Sequence, residues 1–591
     1  GKSCPMPRIV ALMLLALFCG RARALVAPRA SRVARAWPRT ALRCASSSSQ
    51  TEKSEEEKER LKAERDARKA AKQAAKEAKA AKKAAEAAAQ AEPVLQKIGI
   101  LDTALQEEQK CGDYDLVASQ GITGREFVDL SSVSSAMDGQ QIWIRARVQN
   151  VRAKGGSAFL VLRQGAFDTI QALFFKDKED PEMSKRMLKY LGGLSAESVV
   201  DIYGTLKSAE VKSCSISDVE LAVEQCFLVS AAEAILPFQQ EDAARTAEEV
   251  EASQGTERPF PRIGQELRLD NRWLDVRVPA NNAIMRLRSG VCRLYRESLY
   301  SHGFTEIQTP KLIGGESEGG SEVFRTDYFG KPACLAQSPQ LYKQMAISAD
   351  LNRVFEIGPV FRAEQSNSRR HLCEFTGLDL EMQINEHYSE VFPVIHSTFK
   401  RIFHGLEEQH AKEISIVREQ YPTVPAVISD EPVVIHFKDG LEMLRDAGVE
   451  DVEEFGDLSN SQEQELGRLV KEKFNTDFFI LDQYPSAVRP FYTMPNPEDP
   501  RYSNSYDMFI RGMEICSGAQ RIHDPELLKK TILSKGLLVD TFADYIKSFE
   551  HGCCPHAGGG FGLERVVTLY LGLDNVRKSV MFPRDPSRLT P

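Results

Sequence analysis

The chain has 591 residues, 42% hydrophobic and 27% charged, with a formal net charge of −8. That length exceeds what one hydrophobic core organises, so several domains are expected, and the acidic balance excludes nucleic-acid binding by overall charge, leaving it to local patches. Twelve cysteines without one C-x-x-C pair exclude a zinc ribbon and a disulfide scaffold, and the adjacent Cys553 and Cys554 read as reduced packing residues.

Residues 9–19 form the apolar run "IVALMLLALFC", too short to span a bilayer, with basic residues before it and "GRARA" after it. That is the layout of a secretory signal peptide. No acid precedes Glu52, and arginine and serine recur through 27–49 as in a transit peptide. A signal followed by a transit segment is the two-part address of plastids bounded by extra membranes. Residues 1–50 therefore read as a targeting presequence, with no membrane span in the mature protein. The alternative is a spurious 5′ extension and a cytoplasmic protein.

Residues 51–92 are almost entirely Lys, Glu, Arg and Ala, a helix-forming composition. Lys69, Lys72, Lys76, Lys79 and Lys83 recur at spacings of three and four and share one face. Such a ridge suits nucleic-acid phosphates, and it equally suits a solvated linker helix. Pro93 would end the helix, and 93–125 read as linker.

From 126 to 235 the pattern turns to short alternating strands: "QIWIRARVQNV", "SAFLVLRQ" and "TIQALFF", then a helical "MSKRMLKYLGG", then "SVVDIYGTLK" and "VELAVEQCFLV". This order fits a five-stranded Greek-key barrel of the oligonucleotide-binding (OB) kind. Phe159 on the second strand is either a stacking platform for a base or a core phenylalanine. The third strand extends by one residue around Asp168, which leaves the register of Gln171 open. "MSKR" at 183–186 resembles a class I synthetase loop but has no "HIGH" partner. No G-x-x-x-x-G-K-[ST] phosphate loop occurs anywhere. Residues 236–270, with the acidic stretch 239–257, read as a hinge with room for a short helix.

The remainder, 271–591, carries four further stretches. "GFTEIQTPKL" (303–312) places Pro310 at a strand end. "FRAEQSNSRRHLCEFTGLDLEM" (361–382) alternates like two antiparallel strands joined by the loop 365–373. In its return strand Thr376, Leu378, Leu380 and Met382 form an apolar face. Phe375, Gly377, Asp379 and Glu381 would line a wet surface, where an aromatic among charges points to a planar ligand. "SYDMFIRGMEICSGAQRIHD" (505–524) and the glycine-rich "AGGGFGLERVVTLYLG" (557–572) follow.

This set of strand–Pro, strand–loop–strand and Gly-rich strand–helix–Arg resembles the three motifs of class II aminoacyl-tRNA synthetases. "SEGGSEVF", "LAQSPQLYKQ", "EIGPVFRAE" and "GAQRIHD" narrow the resemblance to aspartyl-tRNA synthetases (class IIb) of the eukaryotic cytosolic and archaeal type, over 126–591. The resemblance implies an α+β catalytic domain, a mainly antiparallel sheet flanked by helices, with an N-terminal OB barrel and a further helical extension. It also implies a homodimer with its interface around Pro310, ATP and L-aspartate as substrates with tRNA(Asp), and Mg²⁺.

By the same resemblance Arg362 would hold the α-phosphate and Glu364 the adenine edge, with Phe375 and Arg565 on either face of the ring. His371 would reach the outer phosphates, and Asp507 and Glu514 would bind magnesium, with Glu514 also against ATP. Arg362 and Arg565 are the implied catalytic pair. Arg521 and Lys343 would hold the aspartate side chain, Arg521 in bidentate fashion and Lys343 oriented by Asp379, while Ser317, Glu318 and Gln340 surround the α-amino group. Phe159, Gln171 and Glu220 would read the anticodon. The competing readings are an asparaginyl-tRNA synthetase, against which Lys343 with Arg521 argue, and a catalytically inactive RNA-binding paralogue, against which the full set of arginines and acids argues.

Overall fold

The computed structural model describes residues 109–114, 124–315 and 323–591. The presequence, the lysine-rich segment 51–92, Ser317 and Glu318 lie outside the described residues.

Six strands form the barrel sheet: β1 (Cys111–Asp113), β2 (Gln141–Lys154), β3 (Ser157–Gln164), β4 (Asp168–Phe175), β5 (Val199–Ser208) and β6 (Val219–Ser230). Their order is β1-β6-β4-β3-β2-β5, and a β5–β6 pairing closes the barrel. Helix α1 (Pro181–Gly192) lies between β4 and β5, opening on Pro181 with Asp180 as its side-chain cap. Strand alternation fills the interior with Ile142, Ile144, Leu160, Leu162 and Ile170, so Phe159 must point outward. β1 runs parallel to β6 in the stretch read as linker; three residues are too few to leave a periodic signal. The hinge contains three short helices, Gln240–Ala244, Ala247–Ser253 and Gln265–Asp270, the second opened by a Thr246–Glu249 capping box.

The catalytic region begins with the long helix α2 (Pro279–Ser301), then β7 (Thr305–Glu306). A small sheet of β8 (Leu312–Ile313), β9 (Arg325–Tyr328) and β10 (Lys331–Leu335) follows, then α3 (Gln340–Ser348). The hairpin of β11 (Arg353–Phe361) and β12 (Glu374–Gln383) precedes helix α4 (Val391–Gln409). The last strands are β13 (Val434–His436), β14 (Phe478–Asp482), β15 (Ser505–Ile510), β16 (Met513–Gln520) and β17 (His556–Gly562), which runs into α5 (Leu563–Tyr570).

The main sheet has the order β13-β14-β15-β16-β17-β12-β11-β7, antiparallel inside and parallel only at its two outer pairs. Its apolar face packs on α2 and α4 through Leu378, Leu380, Met382 and Phe561 against Leu287, Leu294, Phe399 and Phe403. The opposite face of β12 departs from expectation. It is wet only in part: α3 packs over it and leaves Asp379 and Glu381 buried, while the half-buried Phe375 faces an open cavity.

β7 ends at Glu306, short of Pro310. Ile307 N still donates to Phe355 O at 2.8 Å, but Thr309 N and Oγ1 turn to the Glu356 carboxylate at 3.0 and 2.7 Å. Pro310 has no N–H to carry the ladder on. Among the described residues no helix is long and apolar enough to cross a membrane, and the described cysteines are free. Cys553 is half-buried and Cys554 exposed, so the packing role read for the pair fits Cys553 alone.

Candidate active site

The β11–β12 hairpin pairs Val360 with Phe375, Gly358 with Gly377 and Glu356 with Asp379. Arg362 N donates to Cys373 O at 2.9 Å, extending the hairpin by one rung. Over its far end opens a cavity of about 350 Å³, lined by Gln340, Arg362, Glu364, His371, Phe375, Asp379, Glu514, Arg521 and Arg565. The fold thus brings together residues scattered over more than two hundred positions of sequence. Lys343 and Asp507 lie close by without lining it.

At the outer end the Arg362 guanidinium stands 5.5 Å from the Phe375 ring centroid and its Nη1 4.0 Å from Glu364. Arg565 Nη1 donates to Glu514 O at 3.1 Å and sits 3.5 Å from its carboxylate. His371 Nδ1 lies 2.6 Å from Ser368 Oγ. Burial first, and the Arg565 charge next, pull the His371 pKa below the ordinary histidine value, against the opposing pull of Glu364. A ring so placed is neutral at pH 7 until an anion arrives.

The floor is a quartet of buried charges. Arg521 Nε and Nη2 donate to Glu381 at 3.1 and 3.3 Å, and Nη2 also to Gly558 O at 2.8 Å. Lys343 Nζ donates to Asp379 at 3.1 Å and to the carbonyls of Leu380 and Gly559 at 3.4 and 3.3 Å, and lies 3.5 Å from Glu381. Burial alone would raise the Glu381 pKa, yet Arg521 and Lys343 hold it below the ordinary glutamate range. The glycine-rich strand makes room for these acids. A Cβ on Gly558 would come within 2.6 Å of Glu381 Oε2, and one on Gly560 within 2.8 Å of Asp379 Oδ1.

Glu381 was not singled out as a site residue, although strand alternation set it beside Asp379. Arg489, which lines the cavity from the irregular segment between β14 and β15, left no periodic signal at all. Its Nη1 and Nη2 clamp Asp507 at 2.9 and 2.8 Å.

Two family descriptions match the chain: "tRNA synthetases class II (D, K and N)" over residues 264–586 and "OB-fold nucleic acid binding domain" over 142–229. The chain belongs to the class II tRNA synthetases. The synthetase is 49% identical over 486 residues to the human cytoplasmic aspartate–tRNA ligase, covering 82% of this chain and 95% of that one. With aspartate–tRNA ligase 1, cytoplasmic, of Arabidopsis thaliana it shares 46% over 492 residues, covering 82% and 91%. Among solved structures it resembles the aspartyl-tRNA synthetase of Entamoeba histolytica (43% identity, TM-score 0.75, 82% and 96% covered). It resembles the asparaginyl-tRNA synthetase of Pyrococcus horikoshii with asparaginyl-adenylate less closely (29%, 0.66, 79% and 100%).

Of the two acids expected to bind magnesium, one is open to the cavity. Glu514 lines the cavity, whereas Asp507, on the neighbouring strand, is held by Arg489. Burial and the Glu514 charge raise the Asp507 pKa, and Arg489 lowers it in part. No cluster of three or more metal-ligating side chains occurs among the described residues. This donor set fits a magnesium ion that takes most of its oxygens from substrate phosphates and water.

On the barrel, β3 pairs Val161 with Gln171 and Gln164 with Asp168 without a bulge, which settles the register of Gln171. Gln171 Nε2 donates to Glu220 at 2.9 Å. Phe159, opposite Arg152, is 43% exposed, and Phe175 beside it 61%, their rings edge to face at 6.2 Å. The two outward aromatics and Arg152 thus share one exposed face of the barrel.

Proposed function

We propose that this synthetase is an aspartate–tRNA ligase. It joins L-aspartate to ATP, giving aspartyl-adenylate and diphosphate, then transfers the aspartyl group to the 3′ end of tRNA(Asp). The observation that carries the reading is the Arg521–Glu381 pair on the cavity floor. With Nε and Nη2 engaged from behind, Nη1 is the guanidinium nitrogen left for a substrate carboxylate. The aspartate is therefore met end-on by Arg521, in place of the bidentate grip expected from sequence. Lys343, behind Asp379, neutralises the acids that would otherwise repel an anionic substrate. An asparagine carboxamide would meet the same cationic donor without a charge to match it, so the floor favours aspartate over asparagine.

Gln340, which lines the cavity, would contact the substrate α-amino group. The aspartate α-carboxylate is already ionised and attacks the α-phosphorus in line, so no general base is required. Phe375 stacks on the adenine, and Arg565 covers its other face. Arg362 stands where charge grows on the α-phosphate, and the chain contributes by positioning and charge stabilisation. Magnesium, when bound, screens the phosphates, with Glu514 as its protein ligand. Phe159 and Phe175 offer stacking faces, and Gln171 with Glu220 polar edges, to unpaired anticodon bases.

A homodimer around the exposed Pro310 is part of this reading. The relatives are named cytoplasmic, and plastid delivery rests on residues 1–50 alone. Pyrophosphate exchange with each amino acid in turn tests the assignment. Exchange with aspartate and little with asparagine is expected, and preferential exchange with asparagine would overturn it.

A further inference from the structure

The barrel grips helix α2 at two points. Just before the helix, Arg277 Nη1 donates at 2.8 Å to Glu197 Oε2, which also accepts from the buried Arg163 Nη2 at 2.8 Å. Glu197 is itself buried and holds a left-handed φ of 68°, a strained conformation for a residue with a long side chain. Its own N donates to Val148 O at 2.7 Å and its carbonyl accepts from Arg147 at 3.0 Å, so the barrel wall fixes it on every side.

Farther along the helix, Phe167 from the β3–β4 turn packs against the catalytic core with the Arg286 guanidinium 4.6 Å from its ring centroid. At 1.5 Å rise per residue, Arg286 lies about 10 Å along the axis from Pro279, the first residue of the helix. One contact would leave a pivot; two fix the direction of the helix relative to the barrel.

Both ends of this connection reach functional surfaces. Phe167 closes the hairpin that carries Phe159 and Gln171, with Gln171 about 13 Å up the strand at 3.3 Å per residue. On α2, Arg288 Nη2 donates to Thr376 Oγ1 at 2.8 Å and to Glu564 Oε1 at 2.6 Å, and Glu564 accepts from Thr376 N at 3.1 Å. Thr376 and Glu564 are the chain neighbours of Phe375 and Arg565.

We propose that α2, held at Arg277 and Phe167, couples an occupied anticodon face to the adenylate cavity, which makes these two positioning residues for charging of the correct tRNA. The proposal rests on reading Phe159 and Gln171 as anticodon residues. Arg277→Ala leaves Glu197 paired with Arg163, and Phe167→Ala truncates a half-buried turn residue, so both variants keep a packed barrel.

The test measures three rates in each variant and in the pair: aspartate-dependent pyrophosphate exchange without tRNA, charging of the cognate transcript, and charging of a transcript with a substituted anticodon. Exchange should be unchanged. Cognate kcat should fall about tenfold, within the usual range of coupling between sites, with KM for tRNA little moved. The substituted transcript should slow much less, so discrimination narrows, and Phe167→Tyr should restore it. Equal slowing of both transcripts, or a change in KM alone, would show a docking role and overturn the proposal. Phe159→Ala run alongside separates the two readings. If it lowers cognate charging while Phe167→Ala does not, the coupling fails alone; if neither does, the anticodon reading fails with it.

Discussion

Arg521 is aimed into the cavity by Glu381, which takes its Nε and Nη2 at 3.1 and 3.3 Å on a carboxylate wholly removed from water. An arginine free on that floor would sample rotamers and lose entropy on meeting substrate. Held from behind, it presents one nitrogen in one place.

Arg521→Leu should therefore lose aspartate activation by roughly two to four decades in kcat/KM, the scale of about 3–5 kcal/mol for breaking a buried charge pair. Discrimination against asparagine should shrink with it, while ATP binding, which uses Arg362, Phe375 and Arg565, stays near wild type. Glu381→Gln should weaken aspartate activation without touching substrate, and the double variant should cost less than the two losses added. Exchange kinetics with both amino acids, beside direct ATP binding, check each part. Near wild-type aspartate kinetics in Arg521→Leu would remove it from the floor.

The two acids of the expected magnesium site should behave differently. Asp507→Ala removes the carboxylate that Arg489 clamps and leaves it the Ser517 hydroxyl at 2.8 Å, so unfolding free energy should drop by about 1–3 kcal/mol. Glu514 is partly exposed, and Glu514→Gln should leave stability alone while raising the Mg²⁺ concentration that exchange requires. Denaturant melts and Mg²⁺ titrations distinguish them. An unchanged Mg²⁺ requirement in Glu514→Gln would count against that ligand.

His371 gives the pH dependence its sign. Its free-enzyme pKa lies below the ordinary 6.5, and ATP phosphates beside it would raise it, so ATP binding takes up a proton between the two values. Apparent ATP affinity should rise as pH falls through that window, by at most tenfold per unit for one proton. Subtracting the profile of His371→Asn removes the titration of ATP itself. Parallel profiles for the two proteins would show that His371 takes no part.

The legible half of this site is the half that alternation and motif order carry. Phe375, Asp379 and Glu381 share a strand face, and a period of two displays that at a glance. Whether the face is wet depends on α3, which crosses it from elsewhere in the chain, so the burial of Glu381 and the withdrawal of Lys343 behind Asp379 could not be read from spacing. Arg489 sits in an irregular segment where no period applies, and its hold on Asp507 is a long-range accident of topology. The barrel strands were legible except for β1, too short to show a pattern, and Phe167, whose role depends on a helix more than a hundred residues later.

The outward placement of Phe159 follows from the same alternation that buries Leu160 and Leu162, so its exposure needs a reason other than packing. Phe159→Ala removes no core contact and should leave the barrel's stability within about 0.5 kcal/mol, as for most surface substitutions. Losing one base stack is worth roughly 1–3 kcal/mol, so kcat/KM for tRNA should fall by about one to two decades at about 1.4 kcal/mol per decade. Aspartate-dependent exchange, which needs no tRNA, should not change. Because Phe175 stands beside it and remains, Phe159→Ala with Phe175→Ala should fall further than either alone, by an amount that shows whether one base or two lie on this face. A fall in exchange matching the fall in charging would mean that the substitution acts through the fold, and the barrel surface would lose its assignment to tRNA.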